Sequence, residues 1–329
     1  MKQIIYMKDM ATEVSATLMI IVLCWILLTI ADAAVGGLLK LMFGIPFRKV
    51  FVWGLLSLLL PPLAIGYGAL IERNCFRVNE VRISFENLPE TFDGYRIVHI
   101  SDIHARSFAG RERHLARAID KINGLNPDIA VFTGDLITLS PEELDSLAPI
   151  LGRIQAKTFS VLGNHDYSIY SNSSAQARQA HLEDLISREK ALGWDLLLDE
   201  HRIITKGTDS IAVIGVQNTS PSRHFPSKGD LKKASKGTAG MFRIVLSHDP
   251  MHWENEILGQ DYPLTLSGHT HAMQLSLLGW SPSRLIFDQY RGLYTRSGQS
   301  IYVNPGLGET IFPARIGVRP EITVITLTR

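Results

Sequence analysis

Apolar positions are unevenly spread along this chain. Residues 16–30 read ATLMIIVLCWILLTI and residues 50–71 read VFVWGLLSLLLPPLAIGYGALI, neither containing a charge. A helix needs about 20 apolar residues to cross a bilayer core. The second run reaches that length, and the first does so with its flanks, which predicts a transmembrane hairpin with spans at about 14–31 and 50–71. For the first run a cleaved signal peptide is the rival reading, because Lys2 and Lys8 precede it and Ala31-Asp32-Ala33 has a small-x-small pattern. Residues 33–47, apolar with a single lysine, are too short to span and are expected to lie at the interface or re-enter. Pro61-Pro62 is expected to kink the second helix.

From residue 76 the pattern changes to short Val/Ile-rich runs between polar stretches. Runs at 96–100, 128–132, 159–162, 211–216, 242–246, 264–266, 301–303 and 322–327 predict buried strands. Residues 112–125 space Leu115, Ile119, Ile122 and Leu125 along one helical face, and 174–192 do the same with Leu182, Leu185, Ile186 and Leu192. Strand and helix alternate early while strands cluster later, which predicts an α/β domain of mixed sheets flanked by helices. The Ser/Pro/Lys-rich residues 217–240 predict a surface loop, a candidate flap on the substrate side. The expected organisation is a membrane anchor over 1–75 and a catalytic domain over 76–329.

Composition narrows the function classes. Lys and Arg (33) nearly balance Asp and Glu (32), so no basic field points to nucleic acid. The two cysteines, Cys24 and Cys75, are too few for a thiolate zinc site, and their apolar settings argue against a disulfide. Two spans place the N-terminus and the catalytic domain on one side of an integral cell-membrane protein. That side carries Lys2, Lys8, Arg73, Arg77 and Arg82, against Lys40, Arg48 and Lys49 in the connection, so the positive-inside rule leans to a cytoplasmic domain.

Five clusters of metal-capable residues each follow a predicted strand. They are Asp102-Ile103-His104, Gly134-Asp135, Gly163-Asn164-His165-Asp166, Ser247-His248-Asp249-Pro250 and Gly268-His269-Thr270-His271. Strand ends are where an α/β sheet gathers catalytic side chains. A pair of divalent cations needs a bridging carboxylate with imidazole, carboxylate and amide oxygen around it, and Asp135 can bridge. In an extended segment Asp102 and His104 share a face, as do His269 and His271. N/O donors without thiolate suit manganese, iron or zinc. Singly these motifs are common turns and caps; five in order, using five of the eleven histidines, point to a metal centre.

The constellation resembles the calcineurin-like metallophosphoesterase superfamily, whose D-x-H, G-D, G-N-H-D/E, lone H and G-H-x-H elements are all present. The resemblance implies a four-layer α/β/β/α sandwich of two mixed sheets. It implies Asp102, His104, Asp135 and His271 on one metal, and Asp135, Asn164, His248 and His269 on the other. His165 would be a non-ligand that contacts the scissile phosphate or protonates the leaving oxygen, with Asp166 orienting its ring. Within the superfamily the chain looks similar to a membrane-associated bacterial subgroup resembling UDP-2,3-diacylglucosamine diphosphatases, through Tyr302-Val303-Asn304-Pro305-Gly306-Leu307-Gly308 and the Arg315 and Arg319-Pro320-Glu321 tail. It departs at Ala272-Met273, where the subgroup often has Gly-Gly, and at Gln217-Asn218, where an acidic pair is frequent.

The implied activity is hydrolysis of a phosphodiester or diphosphate by a metal-bridging hydroxide. The anchor suggests the bilayer as partner and a phospholipid or lipid-linked nucleotide sugar as substrate. A cyclic-nucleotide phosphodiesterase, a protein phosphatase and a non-catalytic metal-binding membrane sensor share the same motifs. Other residues carry plainer expectations. His99 is a packed strand residue; Trp253, Trp280, Phe287 and Tyr290 are core; Arg315 and Arg319 either grip phosphate or form surface salt bridges.

Overall fold

The computed structural model describes residues 2–329, with side chains from Glu13 onward. The side chains of Lys2 and Lys8, part of the charge argument for sidedness, lie outside the described residues. The chain divides into two units, Met1–Arg73 with Thr310–Ile316, and Asn74–Glu309 with Gly317–Arg329.

The first unit holds helices α1 (Lys2–Phe43), α2 (Phe47–Gly54) and α3 (Leu60–Leu70), with one 3-10 segment, Leu55–Leu59, between the last two. Two stretches, Glu13–Phe43 and Phe47–Asn74, are long and apolar enough to cross a membrane. Residues 33–43 do not form the separate interfacial or re-entrant segment expected from their length; they continue α1, with no proline to interrupt it. The turn comes at Gly44, with φ +67. Pro61 and Pro62 sit in the first turn of α3, just after the 3-10 segment. Neither can donate to Leu58, whose carbonyl instead accepts from Trp25 Nε1 of the facing helix at 2.7 Å. Asp32 on α1 accepts from Ser57 Oγ at 2.9 Å. Gly54 leaves room for it, since a Cβ there would lie 2.7 Å from Asp32 Cγ.

The second unit contains twelve strands, in chain order β1 (Arg77–Ser84), β2 (Arg96–Ile100), β3 (Ile129–Phe132), β4 (Thr158–Ser160), β5 (Asp195–Leu196), β6 (Glu200–Lys206), β7 (Asp209–Gly215), β8 (Phe242–Leu246), β9 (Leu264–Ser267), β10 (Gly292–Arg296), β11 (Gln299–Val303) and β12 (Glu321–Thr328). They form two mixed six-stranded sheets, ordered β1-β12-β2-β3-β4-β5 and β10-β11-β9-β8-β7-β6. Strands β2 to β5 run parallel in the first sheet, and β7, β8, β9 and β11 in the second. Every expected strand is present. The sequence pattern did not predict β1, β5, β6 or β10, all outer strands; β1, β6 and β10 carry charged and exposed positions, and β5 spans only 2 residues.

Alternation along the strands separates three apolar layers. Ile97, Val131 and Phe159 of the first sheet meet Val213, Ile244 and Leu266 of the second. The outer face of the first sheet packs on α4 (Glu112–Gly124), α5 (Ala148–Leu151) and α6 (Ala175–Ala191) through Leu115, Ile119, Leu151 and Leu185. The outer face of the second takes α7 (Leu231–Ala234) and a π-turn at Trp253–Ile257. This is the expected α/β/β/α sandwich. The 217–240 loop is therefore not all surface, because Leu231 and Ala234 are buried in the third layer.

Glu189 on α6 is fully buried and accepts from Ser160 Oγ of β4 at 2.7 Å. Burial, with the nearby Asp166 charge, pushes its carboxyl up to about 8 from an ordinary 4.5. Between those values the folded protein holds a proton that the unfolded chain has released, so stability falls as pH rises through this window. Glu189→Gln is expected to flatten the Tm-versus-pH curve between 4.5 and 8, measured by calorimetry. An unchanged slope would mean Glu189 does not carry this dependence.

Candidate metal centre

All five motif clusters sit at the C-terminal ends of parallel strands, three from the first sheet (β2, β3, β4) and two from the second (β8, β9). Backbone hydrogen bonds hold the loops together: Asp102 N donates to Gly134 O, His104 N to Asp135 O, and Gly268 N to His248 O. Asp102, which is buried, accepts from His269 N at 3.0 Å, joining the two sheets at the site.

The ligand-bearing backbone is not extended. Asp102, His104, Asp135, His269 and His271 have φ of +49, +43, +60, +74 and +49. The period-two argument for Asp102/His104 and His269/His271 is thus corrected: left-handed turns, not strand alternation, aim these side chains inward. Such backbone costs about 1–2 kcal/mol per residue. The left-handed run continues through Ala272, Met273 and Gln274, two of them where the similar subgroup often has glycine. Close approach is equally tight. A Cβ on Gly163 would lie 2.2 Å from Asp135 Oδ1, and one on Gly268 would lie 2.3 Å from Asp102 Oδ2.

The structure brings all seven expected ligand residues together. His104 Nε2 lies 3.0 Å from His271 Nε2, which lies 3.3 Å from Asp102 Oδ1. Asn164 Oδ1 lies 3.1 Å from His248 Nε2 and 2.9 Å from His269 Nδ1. Asp135 Oδ2 stands between the groups, 3.6 Å from His104 Nε2 and 3.2 Å from His248 Nε2. A cation bound at about 2.1 Å places adjacent donors roughly 3 Å apart, so these separations fit the edges of two coordination shells sharing Asp135.

The electrostatics of these buried groups favour cation binding. Burial would raise Asp135, but His248, His165 and His104 outweigh it and hold its carboxyl well below the usual range. Burial, tempered by His248 and reinforced by Asp135, pushes Asp102 up to about 7. His248 is opposed by burial yet driven up to about 10 by Asp135 and Asp102. A divalent cation held by these groups would compensate the buried carboxylates in place of the protonated imidazole and release that proton. Neighbours fix the donor atoms. His248 Nδ1 donates to Thr133 O at 2.7 Å, leaving Nε2 inward, and Asn164 Nδ2 donates to Tyr170 OH at 3.1 Å, turning Oδ1 inward.

His165 lies beside these groups, its ring 4.7 Å from that of His104 and 4.2 Å from that of Tyr170. Its Nδ1 bonds the Thr138 carbonyl at 2.9 Å, so Nδ1 keeps the proton and Nε2 is free. The expected pairing of Asp166 with this ring is corrected. Asp166 instead accepts from the backbone N–H groups of Asp135, Leu136, Ile137 and Gly163. It is fully buried, and burial together with Asp135 pushes it up to about 7 against those donors. Asp166 therefore positions the Asp135 loop.

Several contributors escaped the sequence reading. Half-buried Glu143 accepts from the N–H groups of Thr138, Leu139, Ser140 and Arg106, shaping the loop whose carbonyl holds His165. The capping pattern Ser140–Glu143 was the available signal. Phe225 and Phe287 stand edge-on to His269, at 5.0 and 5.7 Å, so the 217–240 loop does reach the site. Phe287 is thus not plain core, whereas Trp253 is. His99 is buried as expected, pushed down to about 3 by burial. Arg315 is buried and belongs to the unit with the N-terminal helices.

Two sheets that present one carboxylate between clusters of imidazoles form an α/β sandwich whose strand ends carry groups able to hold a metal. The chain belongs to the calcineurin-like phosphoesterase family, whose model matches residues 95–273. A transmembrane protein with metallophosphoesterase domain from Danio rerio is 33% identical over 83% of this chain, and this chain spans 62% of that relative's length. The uncharacterized metallophosphoesterase YkuE of Bacillus subtilis is 30% identical over 80% of this chain and 89% of its own. The UDP-2,3-diacylglucosamine pyrophosphatase LpxG of Chlamydia trachomatis is 27% identical over 75% of this chain and 88% of its own.

The two roles separate by mutation. Asp166→Asn turns an NH2 group toward backbone donors and should cost about 3 kcal/mol in denaturant unfolding, whereas His165→Ala should keep near-normal metal content by elemental analysis. Unchanged stability in the first variant, or an apo protein in the second, would contradict the assignments.

Proposed function

We propose that this chain is a membrane-anchored, dinuclear-metal phosphoesterase acting on a phosphodiester or diphosphate at the bilayer, such as a phospholipid or a lipid-linked nucleotide sugar. The observation that carries the reading is Asp135 Oδ2, poised between two groups of nitrogen and oxygen donors at 3.2 and 3.6 Å. Asp102, His104, Asp135 and His271 would hold one cation; Asp135, Asn164, His248 and His269 would hold the other. Bound divalent cations, manganese, iron or zinc by donor type, supply Lewis acidity and a water activated near neutral pH.

The chain's own residues do the rest. Asp135 fixes both sets of donors relative to each other through its bond from His165 N at 2.8 Å. His165, with Nδ1 committed to Thr138, would in its protonated form donate from Nε2–H to a phosphoryl oxygen and hand that proton to the leaving oxygen. Phe225, Phe287 and Tyr170 border the donors with aromatic surface and restrict water. Glu143 and Asp166 hold these loops in strained conformations so that no reorganisation is needed during reaction.

The membrane part of the proposal rests on the two long apolar helices and on the relative named for a transmembrane domain. The lipid-linked substrate is favoured by that anchor and by the similarity to a pyrophosphatase named for a diacylated sugar nucleotide. The basic excess in the segments flanking the hairpin favours a cytoplasmic site.

Purified full-length protein, stripped by chelation and resupplied with manganese, is expected to hydrolyse bis-p-nitrophenyl phosphate, with Asp135→Ala and His165→Ala losing at least about 100-fold in rate. Retained activity in Asp135→Ala would refute the shared-carboxylate mechanism. A lipid panel then separates substrates: preference for water-soluble cyclic nucleotides or phosphoproteins over lipid diphosphates would overturn the substrate class.

A further inference from the structure

The segment that follows His271 is unusual for a domain surface. Leu277 and Trp280 close a two-residue hairpin, with Leu277 N donating to Trp280 O at 2.8 Å and Trp280 N to Leu277 O at 3.0 Å. The tip residues Leu278 and Gly279 both have positive φ, +51 and +83, which is the turn type that favours Asn-Gly. Here a leucine takes the first position, in left-handed backbone and 100% exposed. Leu277, Trp280, Leu285 and Ile286 are exposed beside it, at 70%, 47%, 78% and 59%. Trp280 is therefore not core, as its aromatic character suggested. A branched apolar side chain at this tip is unfavourable both for the backbone and for the water around it, and a contiguous apolar patch of this kind marks an interaction surface.

Charge beside the patch identifies its partner. Arg284 lies in the same segment, Arg291 lines one cavity with Gly279 of the tip, and neither has an ionic partner among the described residues. That cavity, of about 260 Å³, is also lined by Arg77, Asn79, Ser276 and Tyr290. Glu321 borders the same cavity, but its carboxylate is engaged by Tyr302 OH at 2.5 Å and Thr323 Oγ1 at 3.0 Å. Leucine and tryptophan at a tip with unpaired arginines at its base is the pattern of an element that enters the headgroup layer of an anionic bilayer. Two helices of the same chain are long and apolar enough to be in that bilayer.

We propose that the 275–291 segment is a second, peripheral membrane contact: its Leu277–Trp280 tip enters the lipid surface, and Arg284 and Arg291 meet anionic headgroup phosphates. The segment begins at Leu275, and Thr270 Oγ1, between His269 and His271, donates to Tyr290 O at 2.5 Å. Both ends are thus tied to the metal centre, so the contact would bring a lipid-borne phosphate group toward it. The inference rests on the membrane reading given above, but not on turnover.

The test uses the full chain in phosphatidylcholine/phosphatidylglycerol vesicles. Cys24 and Cys75 are replaced by serine, and an environment-sensitive fluorophore is placed at Leu278→Cys, at Ile286→Cys, or at Lys190→Cys on exposed α6 as control. The labels at 278 and 286 should be blue-shifted and quenched several-fold more than the control by doxyl-labelled phospholipids, with weaker quenching in pure phosphatidylcholine. Equal quenching at all three sites would overturn the proposal. A blue shift that ignores lipid quencher and grows with protein density would also overturn it, assigning the patch to a second copy. Because no substrate is turned over, failure here is distinguishable from failure of the hydrolase assay.

Discussion

The structure is organised around one buried anion. Asp135 has almost no solvent exposure, yet it is held ionised by three imidazoles. Burying a carboxylate is costly unless charge and hydrogen bonds compensate it. The compensation comes from both sheets: His104 and His165 from the first, His248 from the second. Removing the apposition of the two sheets would therefore leave a buried charge unpaired. The sandwich and the metal centre stabilise one another rather than one being grafted onto the other.

Local conformation follows from the same constraint. Left-handed backbone at five donor-bearing residues is unfavourable for side chains with a Cβ, and it persists because neighbouring groups over-determine it. Asp166 collects four N–H groups from the Asp135 and Gly163 turns, and Glu143 collects four from its own loop and Arg106. Both are carboxylates without a proposed role at the metals. Their work is to convert two flexible loops into a fixed frame for Asp135 and His165, which is the condition for electrostatic preorganisation.

Much of this was legible in the chain. The strands that deliver the motifs are fully buried parallel strands, so they read as continuous Val/Ile runs such as 96–100 and 242–246, whose bounds the structure reproduces. Strands β1, β6 and β10 were not legible because their outward residues are charged or exposed, which hides the apolar face, and β5 because its 2 residues are too few to show a period. The convergence of Asp102 with His104 was anticipated for the wrong reason, since sequence spacing cannot show left-handed φ. Asp166 was assigned to His165 by the family resemblance; its carboxylate instead faces the backbone N–H groups of the Asp135 and Gly163 turns. Residues 33–47 were expected to lie at the interface or re-enter because they are too short to span, but helix propagation from residues 13–32 carries through residues 33–43 at little cost.

The central claim is that Asp135 joins two cations into one coupled centre, and electron paramagnetic resonance of the manganese-loaded protein tests it directly. The account predicts a broad, exchange-coupled spectrum from wild type that collapses to the six-line pattern of isolated manganese(II) in Asp135→Asn. A six-line spectrum from fully loaded wild type, unchanged in Asp135→Asn, would show that no shared carboxylate links the two sites.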